Sequence, residues 1–326
     1  MNVPPGVCVL RSDALEAWVI PFGARLMQLW WRQAPEASRQ GPRPLTLGFA
    51  DPVAYAQDRM ALGAVCGRYA NRLADARLTR EGQVWDLDVN HPLGHCIHGG
   101  QGGLGVLDWQ VTQHDEHAIT LRCTTPDDHM GFPGACVAQV RYALAGDALH
   151  WEATAEVDAP CPINLVQHSY WNLAAHADLR SHRLQVHALH HHPIDARELP
   201  LPAEPVSGSH MDFRQSRAIQ PDEVAKLEGA LVLEGTPGEM REVATLSVPD
   251  LSLHLHTDQP LLHLYAAAGL RPSAAALGVA HQAGAGLCLE TEQMPNGPAL
   301  GADVWVMPGE VYRHRMVWRF AGSRAD

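Results

Sequence analysis

The sequence predicts an all-β protein, a large antiparallel β-sandwich with few short helices, and three observations carry that prediction. Apolar and polar residues alternate with period two in several segments, as in strands with one buried face. No segment of comparable length keeps the 3.6-residue rhythm of an amphipathic helix. The 24 prolines and 28 glycines cut the 326 residues into the short pieces that sandwiches and barrels use.

The strands follow in chain order. Trp85, Leu87 and Val89 alternate with Val84, Asp86 and Asp88. Residues 136–144 and 149–157 read as a hairpin around Ala145-Gly146-Asp147, with Leu149, Trp151, Ala153, Ala155 and Val157 sharing one face. Leu251, Leu253 and Leu255 alternate with Ser252, His254 and His256. Near the end of the chain Tyr312, His314, Met316, Trp318 and Phe320 face one way, and Arg313, Arg315, Val317 and Arg319 the other. One or two helical turns are expected within residues 221–227, where Asp222 and Glu223 stand near the start. Neither a fixed-period repeat nor a linker interrupts the pattern, so a single domain over 1–326 is expected.

Composition narrows the function. A hydrophobic fraction of 46% against 18% charged residues is that of a chain with a sizeable core. A net charge of −12 argues against nucleic acid, which demands a basic surface. Lys226 is the only lysine and sits in a charged stretch, which disfavours Schiff-base chemistry. The first thirteen residues lack a basic segment followed by an apolar one, and no run reaches the ~18 apolar residues of a membrane span, so neither export nor a membrane is expected. Seven scattered cysteines, without a C-x-x-C pair, suit free thiols in the cytoplasm.

Motifs for dinucleotides, phosphate loops, zinc proteases and nucleophilic serines are missing. The 20 histidines raise the question of a metal, because His187, His190, His191 and His192 cluster. A site there still needs a third ligand and outer partners, and a histidine-rich strand end before Pro193 accounts for the cluster without one. Four segments stand out instead, each placing polar residues among apolar or glycine neighbours. They are Gly67-Arg68-Tyr69-Ala70-Asn71-Arg72-Leu73; Cys96-Ile97-His98-Gly99-Gly100; the run from Pro162 through Asn164, Gln167, His168, Ser169, Tyr170 and Asn172 to Leu173; and Gly286-Leu287-Cys288-Leu289-Glu290-Thr291-Glu292-Gln293-Met294-Pro295-Asn296. Glu290 closes the apolar run Leu287-Cys288-Leu289 and is expected at the end of a buried strand. A carboxylate there is costly unless paired, and burial drives its pKa toward neutrality, which suits a general base. An ion pair made purely for folding is the other reading. His168 is expected in a mostly apolar strand, as an acid or as an ordinary hydrogen-bonded core imidazole. Arg72 and His98 read alone as a surface cation and a turn residue.

In this order the segments resemble the aldose 1-epimerase (galactose mutarotase) family. Gly67 to Arg72 reproduces its Gly-Arg-Tyr-Ala-Asn-Arg signature, led in by Leu47-Gly48-Phe49 and Tyr55. Ile97-His98-Gly99-Gly100 is similar to its Leu-His-Gly-Gly element, with Trp109 following. Gly131-Phe132-Pro133-Gly134, the Asn164 to Leu173 segment, Asp212-Phe213-Arg214, Cys288-Leu289-Glu290-Thr291 and Pro308-Gly309-Glu310-Val311-Tyr312 complete a likeness that runs from about residue 23 to 320. The resemblance implies a galactose mutarotase-like supersandwich with a sugar on its concave face. It implies Glu290 as general base and His168 as general acid, with Asn71, Arg72, His98, Tyr170, Glu228 and His263 around the substrate. No metal or cofactor is implied, and the partner is a small-molecule sugar bound by a monomer or homodimer.

Opening a pyranose ring asks for one base at the anomeric hydroxyl and one acid at the ring oxygen, so the pair is expected as ionised Glu290 and protonated His168. Arg72 and His98 would donate hydrogen bonds to ring oxygen or hydroxyls. The chain departs from the family pattern in several places. Glu228-Gly229 stands where the family carries Asp-His, His263 replaces a sugar-binding glutamine, Glu292 and Pro295-Asn296 replace Gln and Pro-Asp, and Gln167 replaces an asparagine. The acid–base pair is kept while the sugar-recognising set changes. A hexose-6-phosphate 1-epimerase and a non-catalytic sugar-binding homologue are the competing readings.

Overall fold

The computed structural model describes residues 3–33 and 41–322. The largest sheet has nine antiparallel strands. From one edge it runs Gln110–His114, Ala118–Thr125, Cys136–Ala145, Ala148–Val157, Tyr312–Gly322, Leu251–Thr257, Arg241–Val248, Arg183–Val186, Arg217–Ala218. The C-terminal strand is thus inserted at the centre, paired with Ala148–Val157 on one side and Leu251–Thr257 on the other. The expected hairpin is present with a tighter turn, since Ala145 and Ala148 already pair and only Gly146 and Asp147 lie between them.

A six-stranded sheet lies against it: Tyr170–Trp171, Leu287–Glu292, Leu261–Tyr265, Glu228–Leu233, Ala188–His192, Glu204–Pro205. A third sheet is formed by Cys8–Arg11, Leu15–Ile20, Arg25–Trp31 and Arg43–Pro44. The predicted alternation sets the contacts between layers. Tyr312, His314, Met316, Trp318 and Phe320 are buried, and Trp318 and Phe320 meet Trp171 of the facing sheet at ring-centroid distances of 5.5 and 5.9 Å. Each such fully buried large side chain contributes roughly 1.5–3 kcal/mol. Helical structure among the described residues is confined to short 3₁₀ turns, one of them at Val224–Lys226 inside the expected stretch.

Two strand expectations need correction. The alternation of residues 84–89 outlasts its strand, which covers only Gln83–Asp86. Beyond Asp86 the backbone leaves the hairpin: Leu87 is buried, Asp88 N–H donates to the Met130 carbonyl, and Val89 is exposed. The 164–173 segment is not one strand either. Val166–Gln167 pairs with Val65–Cys66, Tyr170–Trp171 pairs with Leu287–Glu292, and His168 and Ser169 fall in the break between two sheets.

Candidate active site

The strand Leu287–Glu292 places the central carboxylate. Leu287 and Leu289 belong to the main core, and the Thr291 hydroxyl lies 2.7 Å from His314 Nε2 in the nine-stranded sheet. Alternation therefore turns Cys288, Glu290 and Glu292 to the opposite side. Glu290 is inside this strand, not at its end, because Thr291 and Glu292 continue the ladder opposite Leu262 and Leu261. On the neighbouring strand His263 pairs in register with Glu290, so both face the same way. A cavity of about 410 Å³ opens on that side. All eight residues singled out from the sequence line it: Glu290, His168, Asn71, Arg72, His98, Tyr170, Glu228 and His263.

His168 sits between two partners. Its Nε2 is 3.5 Å from Glu290 Oε1, and its Nδ1 is 3.6 Å from Cys288 Sγ. The thiol and the carboxylate address different ring nitrogens, although His168, Cys288 and Glu290 are the only described residues that gather as a potential metal-donor set. The His187–His192 cluster assembles no such set among the described residues. The break in the strand matters here. It leaves His168 free of ladder neighbours, while its backbone is tied to residues 63 and 64 by two 2.9 Å bonds.

The glycine-rich motifs build the opposite wall. Asn71 and His98 both occupy the left-handed region, at φ 61° and 52°. The two residues bond reciprocally: His98 N–H donates to the Asn71 carbonyl at 3.1 Å, and Asn71 N–H donates to the His98 ring nitrogen Nδ1 at 3.3 Å. With Nδ1 an acceptor, His98 carries its hydrogen on Nε2 as a donor. Gly99 is required beside it, because a Cβ there would stand 1.9 Å from the Gly67 carbonyl oxygen and φ is +86°. Arg68 does not reach the cavity. Buried, it donates to Thr125 Oγ1 at 2.8 Å and to the carbonyls of Gly134 and Pro126 at 2.7 Å, joining two of the recognised motifs structurally.

Three expected sugar contacts are partly spent on the protein. Arg72 Nη2 donates to Glu228 at 3.0 Å and also to Glu198, so Glu228 balances the guanidinium. The Tyr170 hydroxyl donates to the Met60 carbonyl at 2.7 Å, which leaves its ring, 5.1 Å from that of His168, as the surface beside the cavity. Asn71 Nδ2 lies 3.2 Å from His263 Nδ1 and 3.4 Å from Glu292, and its Oδ1 accepts from Arg72 N–H at 2.8 Å.

A family model described as aldose 1-epimerase matches residues 7–319. The chain belongs to this family. It is 30% identical to the aldose 1-epimerase of Escherichia coli (strain K12), covering 97% of this chain and 95% of that one. To the galactose mutarotase of Rattus norvegicus it is 28% identical, over 96% and 93%. An aldose epimerase homologue from C. elegans superposes with a TM-score of 0.89 at 25% identity, over 98% of this chain and 99% of the other. The enzyme is thus an isomerase with the galactose mutarotase-like fold.

Within this family frame, burial opposes the charge states expected for the pair. Burial, with Glu292 and Glu228 nearby, raises the Glu290 carboxyl well above its ordinary value, against a smaller pull from Arg72. Burial lowers His168 to about 4. Desolvation thus works against both the ionised carboxyl and the protonated imidazole.

Five polar lining residues were not singled out from the sequence: Arg59, Asn90, His91, Tyr265 and Glu198. Tyr265 was within reach of strand parity, two positions beyond His263. Glu198 was not, since it lies outside the strands, and only the fold brings it to Arg72 and to within 3.2 Å of His91 Nε2.

Proposed function

We propose that the enzyme interconverts the α and β anomers of a free aldose, with Glu290 and His168 as its proton-transfer pair. The observation that carries this is the 3.5 Å approach of a buried carboxylate to a buried imidazole nitrogen at the wall of a sugar-sized cavity. The anomeric hydroxyl gives its proton to Glu290 while His168 protonates the ring oxygen. The C1–O5 bond breaks, the carbonyl rotates about C1–C2, and the ring closes on its other face. Each half of such a transfer is worth about 10²–10⁴ in rate. Because burial works against both charges, the sugar itself helps to hold the pair in its active form. Its anomeric hydroxyl donates to Glu290 and its ring oxygen accepts from His168, which favours the ion pair and moves the proton across to the imidazole.

His98 Nε2–H and the unspent edge of Arg72 donate to oxygens of the sugar. Glu228, His263, Asn71 and the Tyr170 ring complete the surround. A free sugar is favoured over a sugar phosphate because Arg72 is already balanced by Glu198 and Glu228, leaving a phosphate to the exposed Arg59 at the rim. Seven unpaired thiols support a reducing compartment, the cytoplasm.

Polarimetry on freshly dissolved α-anomers of galactose, glucose, arabinose, xylose and fucose, beside glucose 6-phosphate, tests the proposal. Accelerated decay with at least one free aldose is expected. Acceleration of the phosphate ester alone would show the substrate class to be wrong, and no acceleration of any would leave a binding protein.

A further inference from the structure

The face that presents Glu290 presents a second carboxylate two residues on. Glu292 is 1% exposed, and no arginine or lysine among the described residues is bonded to it. Its hydrogen-bond donors are neutral: the side-chain amides of Asn71 and Asn164, each at 3.4 Å. Its remaining neighbour is His263, whose Nδ1 is 3.5 Å from Glu292 Oε1. Nδ1 is thereby engaged by Glu292 and Asn71, while Nε2, at the other edge of the ring, is bonded by no described residue and His263 lines the cavity.

Such a pair has two self-consistent states. With its proton, Glu292 donates to Nδ1 and the imidazole carries hydrogen on Nε2, as a donor toward the cavity. Without it, Nδ1–H and Asn164 donate to Glu292, the Asn71 amide gives up its 3.2 Å contact with Nδ1 and donates to Glu292 alone, and Nε2 becomes an acceptor. We propose that Glu292, which does not touch the sugar, decides whether His263 offers a bound aldose a donor or an acceptor, so that the two form one proton-sharing specificity determinant. This rests on the mutarotase reading above and deepens it.

The surroundings allow the switch to work alone. Burial pushes Glu292 up to about 8 and His263 down to about 3, so the single proton resides on the carboxyl near neutrality and leaves on the alkaline side. Facing Glu292 are Glu290 on its own strand, Tyr69 and Arg72 on the signature segment, and Tyr312 on the C-terminal strand. Facing His263 are Arg72, His168 and His98, with Glu290 across the ladder and Glu228 on the adjoining strand. Burial raises both tyrosines and lowers both histidines, so none of these four changes charge near pH 8. Burial raises Glu290 as well, with Glu292 and Glu228 beside it, and Glu290→Gln therefore serves as the control.

The test measures KM and kcat from pH 6.5 to 9 for the wild type, Glu292→Gln, His263→Gln and the double variant, using the best aldose of the panel. The wild-type KM is expected to change at least fivefold across this range. Glu292→Gln, which cannot lose a proton, is expected to show a flat KM. In the His263→Gln background the same substitution is expected to matter less than twofold. An equal effect with and without His263, or a wild-type pH profile that survives Glu292→Gln, overturns the proposal. Nitrogen NMR of the histidine rings in the sugar-free protein reads the switch without turnover, so failure of the proposal is distinguished from failure of the mutarotase reading. His263 should exchange its protonated nitrogen between pH 7 and 9 in the wild type and in Glu290→Gln, and not in Glu292→Gln. A single tautomer throughout in the wild type also overturns it.

Discussion

Replacing Glu290 by glutamine should move activity and stability in opposite directions. Glu290 is 5% exposed, and its nearest polar neighbour is His168 Nε2 at 3.5 Å. Glutamine fills the same space but takes up no proton, so the variant forgoes the whole contribution of the base, about 10²–10⁴ in kcat or roughly 2.7–5.5 kcal/mol of barrier. Stability has the other sign. The folded carboxyl is held well above its ordinary value of 4.5. Above that pH the unfolded chain ionises Glu290 while the folded chain keeps it protonated, which favours unfolding by up to about 1.4 kcal/mol per pH unit until the folded group also ionises. Glutamine carries no such penalty, so urea unfolding at pH 5, 6 and 7 should show the variant gaining on the wild type as pH rises. Polarimetry supplies the activity. A near-normal rate removes Glu290 from its role. Low activity combined with a stability loss that is the same at every pH would make the carboxylate a folding element, and the reasoning would fail.

Three further outcomes follow from the same geometry. His168→Asn should lower kcat by about 10²-fold or more while leaving the fold intact, read by polarimetry and circular dichroism. Stability should peak near pH 6.5. Burial lowers five histidines most strongly (98, 168, 182, 263 and 314), which favours the unfolded chain as pH falls below 6.5, whereas the two raised carboxyls, Glu290 and Glu292, favour it as pH rises. The five outweigh the two on the acid side, so the acid limb should be the steeper in urea melts from pH 5 to 8.5, and a maximum above pH 8 would contradict the burial of these groups. Gly99→Ala should cost more than about 2 kcal/mol or prevent folding, since its Cβ would meet the Gly67 carbonyl at 1.9 Å. An unchanged melting temperature would mean that the His98 turn is not packed as described.

Period-two alternation alone determined the sandwich, because a strand with one buried face must write that face into every second residue. The C-terminal strand shows this most fully, with Tyr312 to Phe320 buried at each predicted position. Six of the eight cavity residues stand in the four segments that set polar side chains among apolar or glycine neighbours, and the family resemblance supplied Glu228 and His263. Tertiary structure decided what no local pattern holds. Glu198 meets Arg72 across 126 residues of chain, and Glu292 meets Asn71 across 221. The upward shift of the Glu290 carboxyl was decided there as well, because a pKa depends on how much water the whole fold excludes and on which charges it brings near. The residue types alone favoured an ion pair. The burial that the three-dimensional packing imposes favours a neutral one, since desolvation acts on each charge separately and a single contact at 3.5 Å does not offset it.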